Sequence, residues 1–278
     1  IGNINDSNLR VKEGLITQVV NYDYSLGTVY DLAEQLEKDH PSKILFHAIT
    51  LIRDVMDCQD VALYRISDEK YARFFGYTSA KAGSMGHTVY LPDKEPLYEA
   101  FSRREVYLNR TMNPEYPMMA YCIYEEEKME TIILLWSIPF ERMTIDESNR
   151  LIVISKLIQK AVKRSSDYLD LLQKQRYQDE SPALREAAFE ELIYTYHEAG
   201  EKNLTEYYLL RVVSAASGME KAAGIIAERL YQTDYIGYRN DGNLYILLTS
   251  TDESGCGFVQ KNLEQTGIHT VISEEMGL

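Results

Sequence analysis

Apolar residues along this 278-residue chain repeat with a helical period in some stretches and a strand-like period in others. From Leu15 they recur at Val19, Tyr22, Leu26, Val29, Ala33 and Leu36, in alternating steps of four and three. That is a heptad seam on one helix. A helix with a single stripe must lay it against something, either its own domain or a second copy in a parallel dimer. Both stand open, and residues 1–41 are set apart as a signalling helix of coiled-coil type. Pro41 stops that helix after His40.

Residues 42–165 read as a second unit. "SKILFHAITLIRDVM" is helical, and "DVALYRIS" and "ARFFGYTS" are strands joined by the turn Asp68-Glu69-Lys70. "LYEAFSRREVYLN" is a short helix leading into a strand. "MMAYCIYEEEKMETIILLWSI" is a hairpin around Glu125-Glu126-Glu127-Lys128, a charge cluster typical of a solvated turn. A long helix follows with Asp146 as its cap. Its stripe is Leu151, Ile154, Ile158, Ala161, Ser165, Tyr168 and Leu172, again in steps of three and four.

After a helical linker at 166–182, residues 183–278 alternate strands and helices. "ALREAAFEELIYTYHEAGEKN" is a helix, with Ser181 as cap and Pro182 in its first turn. "LTEYYLLRVVSA", "NLYILLTST" and "IHTVIS" are strands, "TDYIG" is a short strand or turn, and "GMEKAAGIIAERLYQ" and "CGFVQKNLEQTG" are helices between them. One helix followed by β–α–β–β–α–β is the split βαβ, or ferredoxin-like, succession.

Charge and cysteine usage narrow the function classes. A formal charge of −14 argues against nucleic-acid or anionic-membrane binding, which requires excess Lys and Arg. Cys58, Cys122 and Cys256 are far apart and odd in number, so neither a disulfide framework nor a zinc pattern emerges. No window approaches the ~18 uninterrupted apolar residues of a membrane span. No cofactor is expected.

The order of elements in 42–165, with "CQDVALYRI" and "METIILLWS", resembles a GAF domain: an antiparallel sheet flanked by long helices. Such domains hold a tetrapyrrole, a cyclic nucleotide or a small metabolite, or nothing. Here no cysteine sits in a chromophore-attachment setting, His87 is alone in a Gly-rich loop and reads as surface, and Met112, Met118 and Met119 read as core filling. An empty site is expected.

"TDYIGYRNDGNLYILLTST" resembles the hairpin of a GGDEF domain, the core of nucleotide cyclases. On that pattern Asp241 and Gly242 take the glycine places, Asn243 the first acid, Leu244 the glutamate and Tyr245 the phenylalanine. Taken by itself, "NDG" is ordinary turn chemistry. The family's metal-holding acids supply hard charged oxygens. An asparagine and a leucine do not, and the preceding strand "YYLLRVVSAASG" carries no carboxylate. The resemblance therefore implies a degenerate GGDEF domain without catalysis, since phosphoryl transfer depends on charge neutralisation.

The combination of a seamed leading helix, a GAF-like unit and a degenerate GGDEF unit resembles the PelD family, in a version suggested for Gram-positive bacteria. The expected fold class is α+β: a GAF-like antiparallel sheet domain followed by a compact degenerate GGDEF domain, joined by long helices. The resemblance implies a regulator of Pel exopolysaccharide synthesis in biofilms, at the cytoplasmic face of the membrane, with membrane helices upstream of Ile1. It also implies a glycosyltransferase partner, switched on by cyclic di-GMP bound at an Arg-x-x-Asp motif. Here that motif reads Tyr231-Gln-Thr-Asp234: the carboxylate stays and the arginine is gone, with Arg229 about 200° away if the helix continues.

Loss of a charge-assisted bidentate contact costs ~1.5–3 kcal/mol. The expectation is a non-catalytic docking protein, a homodimer through 15–36 being one assembly, with cyclic di-GMP binding weakened or lost. The alternative is a cyclic di-GMP receptor with a reorganised site at Tyr231, Asp234, Arg229 and Arg239.

Overall fold

The structure, a computed structural model, describes residues 40–67 and 70–273. The 15–36 seam, the dimer contact expected of it and most of the Asp68-Glu69-Lys70 turn lie outside the described residues.

Helix α1, Pro41–Val55, opens rather than follows the break at Pro41. His40 is its N-cap, its Nδ1 accepting from the Ser42 N–H at 3.1 Å. Pro41 fits the first turn because its missing N–H would have had no helical partner. The N-terminal sheet comprises β1 (Val61–Ser67), β2 (Tyr71–Tyr77), β3 (Thr88–Tyr90), β4 (Tyr107–Leu108), β5 (Met119–Glu125) and β6 (Lys128–Leu135). Its spatial order is β3-β2-β1-β6-β5-β4, antiparallel throughout. The three-residue edge strand β3 was not anticipated. Three residues are too few to display alternation.

The period of two distributes each strand between two cores. Val61 and Leu63 face α1 and α3 (Ile145–Leu171), whereas Ala62 and Tyr64 face the helix α2, Glu95–Ser102. Tyr64, Phe74, Leu97, Phe101 and Trp136 fill this second core. Met119 is buried, but Met112 is 59% exposed with φ near 54°, so a turn, not the core, claims it. Thr144, not Asp146, caps α3, its Oγ1 accepting from the Glu147 N–H. Leu151, Ile154, Ile158, Ala161 and Ser165 of the stripe are buried against α1 and β5, while Tyr168 is exposed.

The C-terminal half begins with a departure from expectation. Ser181 and Pro182 do not start the next helix; α4 is Glu186–Glu201, with Arg185 at the N-cap position and no side chain capping it. Leu184 instead forms a parallel bridge with Gly237, donating to the Ile236 carbonyl at 2.8 Å and accepting from the Tyr238 N–H at 3.0 Å. The buried Leu184 gains sheet hydrogen bonds there that the first turn of a helix would leave to solvent. The sheet itself comprises β7 (Tyr207–Ala215), β8 (Tyr235–Tyr238), β9 (Leu244–Thr249) and β10 (Ile268–Ile272), ordered β10-β7-β9-β8 and antiparallel.

Helices α5 (Met219–Ala227) and α6 (Glu253–Glu264) cover one face of this sheet, and α4 covers the other. The sequence order fourth, first, third, second is that of the split βαβ fold. One apolar cluster runs from α1, α3 and β1 through α4 into Leu209, Tyr245 and Leu247 of the C-terminal sheet. Gly237 permits part of this: a Cβ there would stand 2.3 Å from Phe189 Cγ. No described helix is long and apolar enough to cross a membrane.

A candidate ligand corner between the two sheets

Between α5 and β8 the chain makes a tight turn. The Asp234 N–H donates to the Tyr231 carbonyl at 3.0 Å, and the Tyr231 N–H returns to Asp234 Oδ2 at 3.2 Å. The turn holds the carboxylate against the end of β9, where Oδ1 accepts from the Thr249 N–H at 2.9 Å. Such local side-chain bonds explain why a buried aspartate is tolerated in a turn.

Into this corner β2 sends Arg73. Its Nη2 lies 3.5 Å from Asp234 Oδ1, 3.1 Å from the Thr249 carbonyl and 3.2 Å from Thr251 Oγ1. Its Cζ sits 3.6 Å from the centroid of the Tyr231 ring, a stacked cation–π contact. The Arg73 and Asp234 side chains are only 7% and 1% exposed, so the pair is sealed. Burial pushes the Asp234 carboxyl up despite Arg73 and its hydrogen bonds, and burial pulls the Arg73 guanidinium down. The fit is incomplete: Arg73 Nη1 and Thr233 Oγ1 are buried with no hydrogen-bond partner.

More polar contacts flank the corner. Ser250 Oγ and Thr205 Oγ1 both donate to the Phe75 carbonyl of β2, at 3.0 and 3.1 Å. The Tyr77 N–H donates to the Leu204 carbonyl at 2.8 Å. His87 joins them: it is exposed, as its surface reading expected, but it is not alone, with Nδ1 3.2 Å from the Ser250 carbonyl and Nε2 3.8 Å from Asp252.

The structure brings Tyr231 and Asp234 together but not Arg229 or Arg239. Arg229 is turned back on α5, its Nη1 donating to the Ile225 carbonyl at 3.3 Å. Arg239, beyond the far end of β8, pairs with Glu190 of α4 at 2.8 Å and lies over Tyr245. Arg73 was missed by the sequence reading. In sequence it stands between the apolar Ala72 and Phe74, a pattern that by itself reads as an outward-facing strand position.

The β8–β9 hairpin is closed on itself. Asp241 accepts from the Asn243 N–H at 2.9 Å, from Asn243 Nδ2 at 2.8 Å and from the Tyr245 hydroxyl at 2.8 Å. Gly242 supplies the positive φ of 76° and Leu244 is fully buried. Among the described residues, no cluster of His, Cys, Asp or Glu has metal-site geometry.

No family model matches the chain, and no curated protein matches it. Among solved structures, PelD 158-CT from Pseudomonas aeruginosa PAO1 is similar at 13% identity and a TM-score of 0.34, covering 94% of this chain and 88% of that one. PelD 156–455 from Pseudomonas aeruginosa PA14, in complex with c-di-GMP, is similar at 12% identity and a TM-score of 0.32, covering 94% and 87%. Residues 122 to 287 of a methyl-accepting chemotaxis protein give 11% identity and a TM-score of 0.40 over 48% of this chain and 96% of that one.

Proposed function

We propose that the chain is a non-catalytic regulatory and scaffolding protein of the PelD type. In this proposal a GAF domain (42–165) and a degenerate GGDEF domain (183–278), joined by a linker at 166–182, dock a glycosyltransferase of exopolysaccharide synthesis. They do so at the cytoplasmic face of the membrane, with cyclic di-GMP control weakened or lost. The observation that carries it is the state of Asp234: the carboxylate a guanine edge would need is already bonded to Arg73 and Thr249.

Two further features support the absence of cyclase chemistry. Asn243 spends its side-chain amide on Asp241, and Leu244 is in the core, so the hairpin presents no acid in the direction of a triphosphate. Strand β7 offers none either. Transfer of a phosphoryl group between nucleotides requires metal-borne charge neutralisation that these side chains do not organise. The six-stranded antiparallel sheet with α1 and α3 on one face supports the GAF assignment, and its other face is filled by aromatic side chains rather than left open.

Isothermal titration with cyclic di-GMP, beside a GTP turnover assay in Mg²⁺ and Mn²⁺, tests the proposal. The expected result is no heat at micromolar dinucleotide and no turnover. Micromolar or tighter binding by the unaltered protein would favour the second reading, a true cyclic di-GMP receptor. Tyr231 stacked beside a buried Asp234, with a guanidinium delivered from another sheet, supports that second reading.

A further inference from the structure

Arg73 occupies the corner in a particular way. Its guanidinium is flat, lies over the Tyr231 ring, and directs one amino group, Nη2, at a carboxylate, a carbonyl and a hydroxyl. A guanine base presents the same features: a π-face for an aromatic ring, and adjacent N1–H and N2–H donors for a carboxylate. Adenine lacks that donor edge.

We propose that Arg73 is a tethered surrogate for guanine, so that docking of β2 onto the C-terminal sheet and seating of a guanine base at Asp234 are mutually exclusive. This rests on the reading of the corner as the remnant of a guanine site. It assigns a cause to the silence of that site: a competitor held at high effective concentration by the fold. The surrogate is displaceable because it fits imperfectly. Arg73 Nη1 and Thr233 Oγ1 are buried without partners, so the closed state leaves hydrogen-bonding capacity unused.

The closure is also polar at this edge. Bonds from Ser250 and Thr205 to the Phe75 carbonyl, and from His87 to the Ser250 carbonyl, hold β2 in place, and water can replace each of them. A guanine ligand would therefore release the β2 edge, and a partner that pulled β2 away would expose Asp234 to a guanine ligand. By linkage the two effects are equal in size.

The test compares the unaltered protein with Arg73→Gln and Arg73→Lys, titrating each with cyclic di-GMP and with cyclic di-AMP. Amide exchange at Tyr231, Asp234 and Thr249 is followed in parallel. For Arg73→Gln, faster exchange at these three amides and binding of the guanine dinucleotide alone are expected. Arg73→Lys keeps the charge and loses the planar stack, so it remains informative if Arg73→Gln fails to fold. Its affinity for cyclic di-GMP should exceed that of the unaltered protein by roughly tenfold, the equivalent of one hydrogen bond.

If Arg73→Gln exchanges faster yet binds neither dinucleotide, the competition idea falls while the non-catalytic docking function stands. If all three proteins bind cyclic di-GMP equally, both fall. Binding of both dinucleotides alike by the variants overturns the guanine match.

Discussion

At the scale of single residues, the corner at Asp234 shows how burial changes the worth of a charge pair. Arg73 and Asp234 are expensive to desolvate together, and either becomes more expensive alone. Asp234→Asn is expected to destabilise the protein by about 3–5 kcal/mol, whereas Arg73→Met combined with Asp234→Leu should cost less than either single change. Urea unfolding of the three variants checks this, and additive single costs would mean that the two side chains are not coupled. The hairpin residue Asn243 makes the opposite point at an exposed site. Asn243→Asp sets two carboxylates where an amide now donates to Asp241 at 2.8 Å. It is expected to lower stability by about 1 kcal/mol, little because solvent screens the pair, and to confer no Mg²⁺-dependent GTP turnover. Turnover in that single variant would overturn the claim that β7 lacks what the chemistry needs.

At the scale of elements, the start of α1 links a cap to pH. His40 must be neutral at Nδ1 to accept from the Ser42 N–H. Burial first, then the charges of Arg176 and Arg65, pull its pKa from the usual 6.5 to about 3. Folding therefore excludes a proton that the unfolded chain takes up: the stability is intact above pH 6.5 and drains away as pH falls from there toward 3. The loss attributable to His40 is about 1.4 kcal/mol per pH unit. His40→Asn keeps a capping oxygen and removes the titration, so its unfolding free energy should fall less steeply between those limits. Identical slopes would show that His40 does not govern the acid limb.

The same scale explains what the sequence made legible. Short apolar runs bounded by turns, such as β5 and β6 around the acidic turn and β7, β9 and β10 of the C-terminal sheet, were readable because their composition and punctuation are local. Helix starts at Thr144 and Glu186 were not, because several acceptors compete and because Leu184 finds its partner on β8. Tyr231 and Asp234 were named together only because they stand at the two ends of the Arg-x-x-Asp motif of the family the chain resembles. Arg73 was not, since it reaches Asp234 from 161 positions away and no local pattern announces that contact.

At the scale of the whole molecule, the two sheets are joined by two kinds of contact that respond differently to perturbation. The polar contacts around Arg73 sit at one edge. The apolar cluster passes from α1 and α3 through α4 to β7 and β9, with Phe189 and Leu192 completely buried. Beside it an open-sided pocket of ≈ 180 Å³ lies among His40, Leu169, Arg176, Leu192 and Tyr235, where the N-terminal sheet's helices meet the C-terminal half. A shared core implies shared unfolding: neither half can expose its side of α4 without exposing the other's. Leu192→Ala adds to that pocket, cannot be repaired by collapse onto a neighbouring void, and should cost about 2–5 kcal/mol. Calorimetry should then give one transition, shifted down as a unit, with amide exchange rising together in β1, β6 and β9. Two transitions, with only the C-terminal one shifted, would mean that the halves fold independently and that α4 belongs to one of them alone.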